Sequence, residues 1–139
     1  MIGTGDQTSA PRSSMTITTR DPKPFKSGEV YWVDLEPSFG SEQGGRRPVL
    51  ILSDTTLHDI SNRVFGCPIT SNRQPWPTKV LIPQGCIVSG ALLTDQARML
   101  DRARAFRFIG CLPDELTWRV KHRIAAYMDL APRATSELP

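Results

Sequence analysis

Histidine, cysteine, aromatics and long apolar runs are all scarce in this chain. Of 139 residues, two are histidines and three are cysteines. His58 lies in a polar connection and His122 in a helical segment, so both read as surface or helix-flank residues. Acid–base chemistry through a histidine pair has little support. No ligand cluster forms around either one, and no metal or other cofactor is expected. Cys67, Cys86 and Cys111 are odd in number and none stand as C-x-x-C. They read as buried free thiols in a reducing cytoplasm. The first twenty residues lack the apolar core of a secretory signal. No apolar run approaches the roughly 18 residues of a membrane helix. The G-x-x-x-x-G-K-S/T and G-x-G-x-x-G phosphate loops and the G-x-S-x-G elbow are also missing, which leaves nucleotide-binding and serine-hydrolase readings unsupported.

What is present describes one small globular domain. At 39% hydrophobic and 22% charged, the chain has enough apolar matter for a core. Twelve prolines and ten glycines suit many short elements joined by turns, not a helical bundle. Residues 1–24, rich in Thr, Ser, Pro and Gly, read as a flexible leader. Residues 131–139 read as a loose tail, so the folded domain spans 25–130.

Within it the pattern is mainly β. Glu29–Glu36 alternates, with Tyr31, Val33 and Leu35 on one face. Pro48–Leu52 is continuously apolar, as in a strand covered on both sides. Ser53–Asn62 is a connection with one helical turn, capped by Ser53 or Asp54. Val64–Ile69 is a strand whose Gly66 and Pro68 suggest a bulge or an edge. Thr78–Ile82 and Ala105–Cys111 are further short strands. Ala91–Asp101 also alternates, placing Thr94, Gln96 and Arg98 on one face. The period then changes: Leu116, Val120, Ile124, Tyr127 and Met128 recur at helical spacing behind Pro113, Asp114 and Glu115. Trp118 on that helix is expected in the core or an interface. The fold class is mainly β with a C-terminal helix: a small, curved barrel or sandwich.

Three polar clusters stand at strand ends. The densest is Gly40-Ser41-Glu42-Gln43-Gly44-Gly45-Arg46-Arg47-Pro48. Its glycines permit close backbone approach to a ligand, and a guanidinium matches a phosphate with two parallel donors. Arg47 paired to Glu42 or Asp34, merely anchoring the loop, is an equal reading of the residues alone. The second is Thr70-Ser71-Asn72-Arg73, which is also ordinary turn chemistry. The third is Thr94-Asp95-Gln96-Ala97-Arg98, equally a solvated face. Two aromatics, Phe39 and Trp76, stand in loops where either can stack on a base, and Trp76 can equally pack over a hydrophobic edge.

The stretch Gly28 to Pro37, followed by Ser41-Glu42-Gln43-Gly44-Gly45-Arg46-Arg47-Pro48 and then Val49 to Ser53, resembles the opening of the MazF/PemK toxins. Pro68-Ile69-Thr70-Ser71 and Leu93-Thr94-Asp95-Gln96-Ala97-Arg98-Met99-Leu100-Asp101 are similar to their second and third motifs. The resemblance covers roughly Phe25 to Leu130. It implies an SH3-like barrel of the CcdB/MazF type, a homodimer, and a toxin of a type II toxin–antitoxin system. It implies a metal-independent endoribonuclease cutting single-stranded RNA at a short sequence, with a MazE-like antitoxin as partner. By the same carry-over Arg47 and Thr70 are catalytic. Ser41, Glu42, Gln43, Arg46, Ser71, Asn72, Gln96 and Arg98 lie near the RNA. Glu42 is a candidate general base, provided its loop closes over the substrate. Two features depart from the family pattern: the leader, and Arg46 as a second guanidinium beside Arg47. Loops 72–77 and 83–90 are expected to set sequence preference.

Two other readings use the same fold. One is a non-catalytic toxin gripping a protein such as DNA gyrase. The other is a catalytically inactive nucleic-acid binder in autoregulation. Charge favours an anionic partner. The chain carries a formal +3, yet residues 46–107 hold nine basic side chains against four acidic ones, a surplus of five. Eight of those nine bases are arginine.

Overall fold

The computed structural model describes residues 25–37, 40 and 44–130. Chain order is β1 (Glu29–Asp34), β2 (Arg46–Ile51), a helical turn α1 (Thr55–His58), β3 (Arg63–Thr70), β4 (Lys79–Leu81) and β5 (Ala91–Leu93). A 3-10 turn (Thr94–Gln96), β6 (Arg98–Asp101), a second 3-10 turn (Arg102–Arg104), β7 (Ala105–Cys111) and the helix α2 (Asp114–Tyr127) complete it. The strands form one antiparallel sheet in the order β4-β5-β3-β2-β1-β7, with β6 also paired to β3. The leader and the tail lie outside the described residues.

Strand alternation sorts the core into two clusters, one on each face. Leu50 and Leu52 of the apolar run join Val30, Cys67, Ile69 and Leu92 under the helix residues Leu116, Val120 and Ile124. Val49 and Ile51 join Tyr31, Val33, Leu35, Val64, Leu100 and Phe25 on the other face. Burying one such aliphatic side chain is worth about 1.5–3 kcal/mol. The run is therefore apolar throughout because both of its faces are covered. The helix starts behind Pro113 with Asp114 and Glu115 in its first turn, where acidic side chains suit the dipole. Asp54 caps α1 by accepting from the Thr56 N–H.

Five expectations need correction. β3 is central, not an edge: β2 pairs residues 66–68 on one side, while β6 pairs 63–66 and β5 pairs 69–70 on the other. Pro68, which has no N–H, falls where one of those two short partners gives way to the next. Gly66 makes no bulge; a Cβ there would lie 2.5 Å from Val49 Cγ1, so cross-strand packing excludes a side chain.

The run Ala91–Asp101 is not one strand. Thr94 is buried, and its hydroxyl reaches the Thr78 carbonyl and, at 2.7 Å, the Tyr127 hydroxyl. That anchor breaks the alternation with a 3-10 turn, so Thr94, Gln96 and Arg98 do not share a strand face. His58 is buried rather than superficial, with Nε2 2.8 Å from Ser53 Oγ and the ring edge-on to Phe25. Of the three free cysteines only Cys67 is buried; Cys86 is half-buried and Cys111 exposed. Burial, with the charge of Asp95 adding to it, pushes the Cys67 thiol well up, which keeps it protonated and unreactive. Trp118 is exposed and forms no part of the core.

Candidate active site

The site begins where the glycine loop returns to the sheet. Gly45 is in the left-handed region at φ +73, a conformation that disfavours a side chain. Its N–H donates to Glu36 Oε2 at 2.6 Å, and its carbonyl accepts from the Leu35 N–H at 2.9 Å. These two bonds fix the point at which β2 starts.

From there the pleat sends consecutive side chains to opposite faces. Arg47 stands with Val49 and Ile51 and pairs across from Val33, so it lies on the face of the second cluster. It is half-buried, and its Nε donates to the Gly44 carbonyl at 3.0 Å. That bond aligns the guanidinium, and among the described residues its Nη groups have no hydrogen-bond partner. Arg46 goes the other way. Its guanidinium sits 5.1 Å from the centre of the Phe106 ring, in a cavity of about 450 Å³ lined also by Asp34, Ala103 and Arg104. The two adjacent arginines therefore serve different surfaces.

Thr70 ends β3. The β2–β3 register pairs Val49 with Pro68 and Ile51 with Gly66. The paired stretch ends at Val49 and Pro68; by strand alternation Thr70 shares the face of Pro68, hence that of Val49 and Arg47. Thr70 is only 8% exposed, and its Oγ1 accepts from the Asn72 N–H at 3.2 Å. That bond uses an oxygen lone pair and leaves the hydroxyl hydrogen to donate elsewhere.

The turn beyond Thr70 is held by its own side chains. Asn72 Oδ1 accepts from the Gln74 N–H at 2.9 Å, while Ser71 and Asn72 are exposed. Arg73, the last residue of the second polar cluster, donates from Nη1 to the carbonyls of Ile82 (2.8 Å) and Gly90 (3.0 Å). Gly90 itself backs the site. At φ +124, a Cβ there would lie 2.1 Å from the Thr70 carbonyl oxygen. Arg73 and Gly90 are supporting residues that sequence reasoning misses. The Ser89-Gly90 step before a strand marks a turn, but nothing in the sequence tells what the glycine meets.

Arg98 pairs with Gly66 and shares the face of Leu100, hence the face of Arg47. It stands two strands over and four residues along, roughly 17 Å away on an untwisted sheet. It lines a separate pocket of about 320 Å³ with Arg63, Arg104, Asp101 and Leu35. Gln96 is half-buried in the 3-10 turn. Ser41, Glu42, Gln43 and the loop aromatic Phe39 lie outside the described residues. Among the described residues, no group of three or more His, Cys, Asp or Glu side chains comes together.

The arrangement puts a guanidinium and a hydroxyl, both donors, on one face of two neighbouring strands. Such a pair suits an anion whose charge grows during reaction.

Residues 26–128 match the family model described as PemK-like, MazF-like toxin of type II toxin–antitoxin system. The chain is 36% identical over 100 residues to the endoribonuclease EndoA of Bacillus subtilis, spanning 68% of this chain and 86% of that protein. It is 31% identical over 98 residues to the endoribonuclease toxin MazF of Escherichia coli K12, spanning 70% of this chain and 87% of that one. Among solved structures it is similar to MazF from Deinococcus radiodurans, with a TM-score of 0.72 and 32% identity, covering 78% of this chain and 99% of that one. A MazE–MazF structure from the same organism gives a TM-score of 0.68 at 32% identity, covering 80% and 100%.

Proposed function

The chain belongs to the PemK-like, MazF-like toxin family of type II toxin–antitoxin systems, and from that premise we propose that it is a sequence-specific endoribonuclease that cuts single-stranded RNA without a metal. What supports this reading is that Arg47 and Thr70 stand at the adjoining ends of the neighbouring strands β2 and β3, on one face by strand alternation.

RNA holds its own nucleophile. The 2′-oxygen attacks the adjacent phosphorus, and the bond from phosphorus to the 5′-oxygen breaks. The 2′-hydroxyl proton leaves and the departing 5′-oxygen gains one, giving a 2′,3′-cyclic phosphate and a 5′-hydroxyl. The protein must align the attack and stabilise the charge that builds on the non-bridging oxygens. The Nη edge of Arg47 faces that charge with two donors. The Arg47 bond to the Gly44 carbonyl fixes the guanidinium before substrate arrives. The Thr70 hydroxyl adds a third donor, to a phosphate oxygen or to the attacking oxygen. Arginine, with a pKa above about 12, acts here as a fixed charge and not as a proton shuttle.

Ser71 and Asn72 at the exposed turn, with Gln96, flank the reacting phosphate. Arg98 takes a phosphate further along the strand, and Arg46 serves the second face. Ser41, Glu42 and Gln43 complete the site from the glycine loop. The partner is a MazE-like antitoxin, and the working form is a homodimer held by apolar surface. Phe106, Phe108 and Trp118 are exposed and supply such surface.

The test is cleavage of a long RNA in EDTA, with the 5′ ends of the fragments sequenced. Wild-type protein is expected to yield 5′-hydroxyl ends at one short motif, and Arg47→Ala to yield none while keeping its oligomeric state. Intact RNA with the wild-type protein, or cleavage that needs an added divalent ion, refutes the reading.

A further inference from the structure

Five large aromatic side chains of the described residues are strongly exposed: Trp76, Phe106, Phe108, Trp118 and Tyr127. Four of them have a partner within the fold, Tyr127 through its hydroxyl to Thr94. Phe106 carries Arg46 at 5.1 Å, and Phe108 lies 5.3 Å from Tyr31. Trp118 meets His122 at 5.6 Å and Lys121 at 5.1 Å. Trp76 is 66% exposed and has no ring or cation partner among the described residues.

The loop that carries Trp76 is nonetheless fixed. Lys79 Nζ donates to the carbonyls of Asn72 and Gln74, each at 3.0 Å. Arg123 of α2 donates to the Pro77 carbonyl at 2.7 Å, and the Lys79 N–H to the Trp76 carbonyl at 2.9 Å. Arg73 fastens the start of the loop to Ile82 and Gly90. Pro75 and Pro77 restrict the backbone on both sides of the tryptophan. The loop leaves β3 directly after Thr70, so Trp76 stands at most roughly 20 Å from it along the chain. Between Asp59 and Asp95 the sequence has no aspartate or glutamate. The cations that hold the loop, Arg73, Lys79 and Arg123, grip the same loop that carries an open indole.

Loop 83–90 offers no such platform. Cys86 and Val88 pack on the first core cluster, and Ile87 lies against Gly110 of β7.

We infer that Trp76 is a base-stacking platform, seating one RNA base a few nucleotides from the scissile phosphate and weighting the cleavage sequence at that position. This deepens the ribonuclease reading and rests on it. A rigid loop makes stacking effective because little freedom is lost when the base docks. Every base has a π face, so the expected contribution is to affinity and to a graded preference among bases.

The experiment compares wild type, Trp76→Ala and Trp76→Phe on short RNAs that contain the mapped cleavage motif, with each flanking base varied in turn. Trp76→Ala is expected to raise KM about tenfold or more with kcat nearly unchanged. It should flatten the preference at one flanking position, and Trp76→Phe should restore most of both. An unchanged KM and cleavage pattern in Trp76→Ala overturns the proposal. So does a fall in kcat alone, or a changed oligomeric state, which assigns Trp76 to the chemistry or to an interface. If the wild type cuts no RNA, the ribonuclease reading itself has failed. Circular dichroism melts of both variants, expected to match wild type, separate these effects from unfolding.

Discussion

Gly90 shows how much of the site is held by a residue with no chemistry of its own. It takes φ +124 and sits against the backbone of Thr70, where even a methyl group would overlap the carbonyl. Gly90→Ala must therefore move Thr70 or break the strand end. Strain and overpacking each cost about 1–3 kcal/mol. We expect at least about 2 kcal/mol of lost stability in urea denaturation, together with a marked loss of cleavage. Thr70 separates hydroxyl chemistry from packing. Thr70→Val keeps the shape and removes the donor, so cleavage should drop about 10²-fold, as for loss of one preorganised donor. Thr70→Ser should retain much of the rate in the same assay, and equal rates for the two variants would exclude a role for the hydroxyl. Arg47 and Thr70 are singled out in the sequence only by resemblance to family motifs, through Arg-Pro and Pro-Ile-Thr. Gly90 and Arg73 are not. Their partners are backbone atoms brought close only by the fold, and a guanidinium that grips two carbonyls reads in sequence like one awaiting a phosphate.

Elements were legible where one physical pattern governed them. The apolar run of β2 announced two covered faces, and both core clusters meet there. The helix announced itself by period, although Tyr127 joins it for a polar reason, its hydroxyl meeting Thr94. The misreadings came from competition between patterns. Alternation through Ala91–Asp101 continues in sequence, but the buried hydroxyl of Thr94 needs partners, and meeting Thr78 and Tyr127 bends the chain into a 3-10 turn. β3 looked like an edge because of Pro68, and it is central because two short strands share its far side. The Thr94 anchor gives an element-scale prediction. Thr94→Val leaves the Thr78 carbonyl without its hydroxyl donor, at a cost of about 1–3 kcal/mol in chemical denaturation. Tyr127→Phe should cost less, since Tyr127 is half-exposed, and the two changes together should cost less than their sum. Strict additivity would mean that the hydroxyl pair contributes nothing as a unit.

At the scale of the whole molecule, charge and stacking divide the work of holding RNA, and salt can tell them apart. Arg47 and Arg98 share one face on either flank of the second core cluster. A strand of RNA that reaches both would give each guanidinium its own phosphate. Every phosphate neutralised releases counterions, so the logarithm of the binding constant falls with the logarithm of salt, by about 0.7 per phosphate for single strands. Trp76 holds a base, which carries no net charge. Binding is best measured with Arg47→Ala as the non-cleaving parent, across a salt series. Adding Arg98→Ala should weaken binding and make the slope shallower by about 0.7. Adding Trp76→Ala should weaken binding by a similar factor and leave the slope where it was. If Arg98→Ala leaves the slope unchanged, the second phosphate position is wrong, and the strand must leave the Arg47–Thr70 pair in another direction. If instead Trp76→Ala flattens the slope, the loop acts through the cations that brace it, Lys79 and Arg123, and the indole is only their cover.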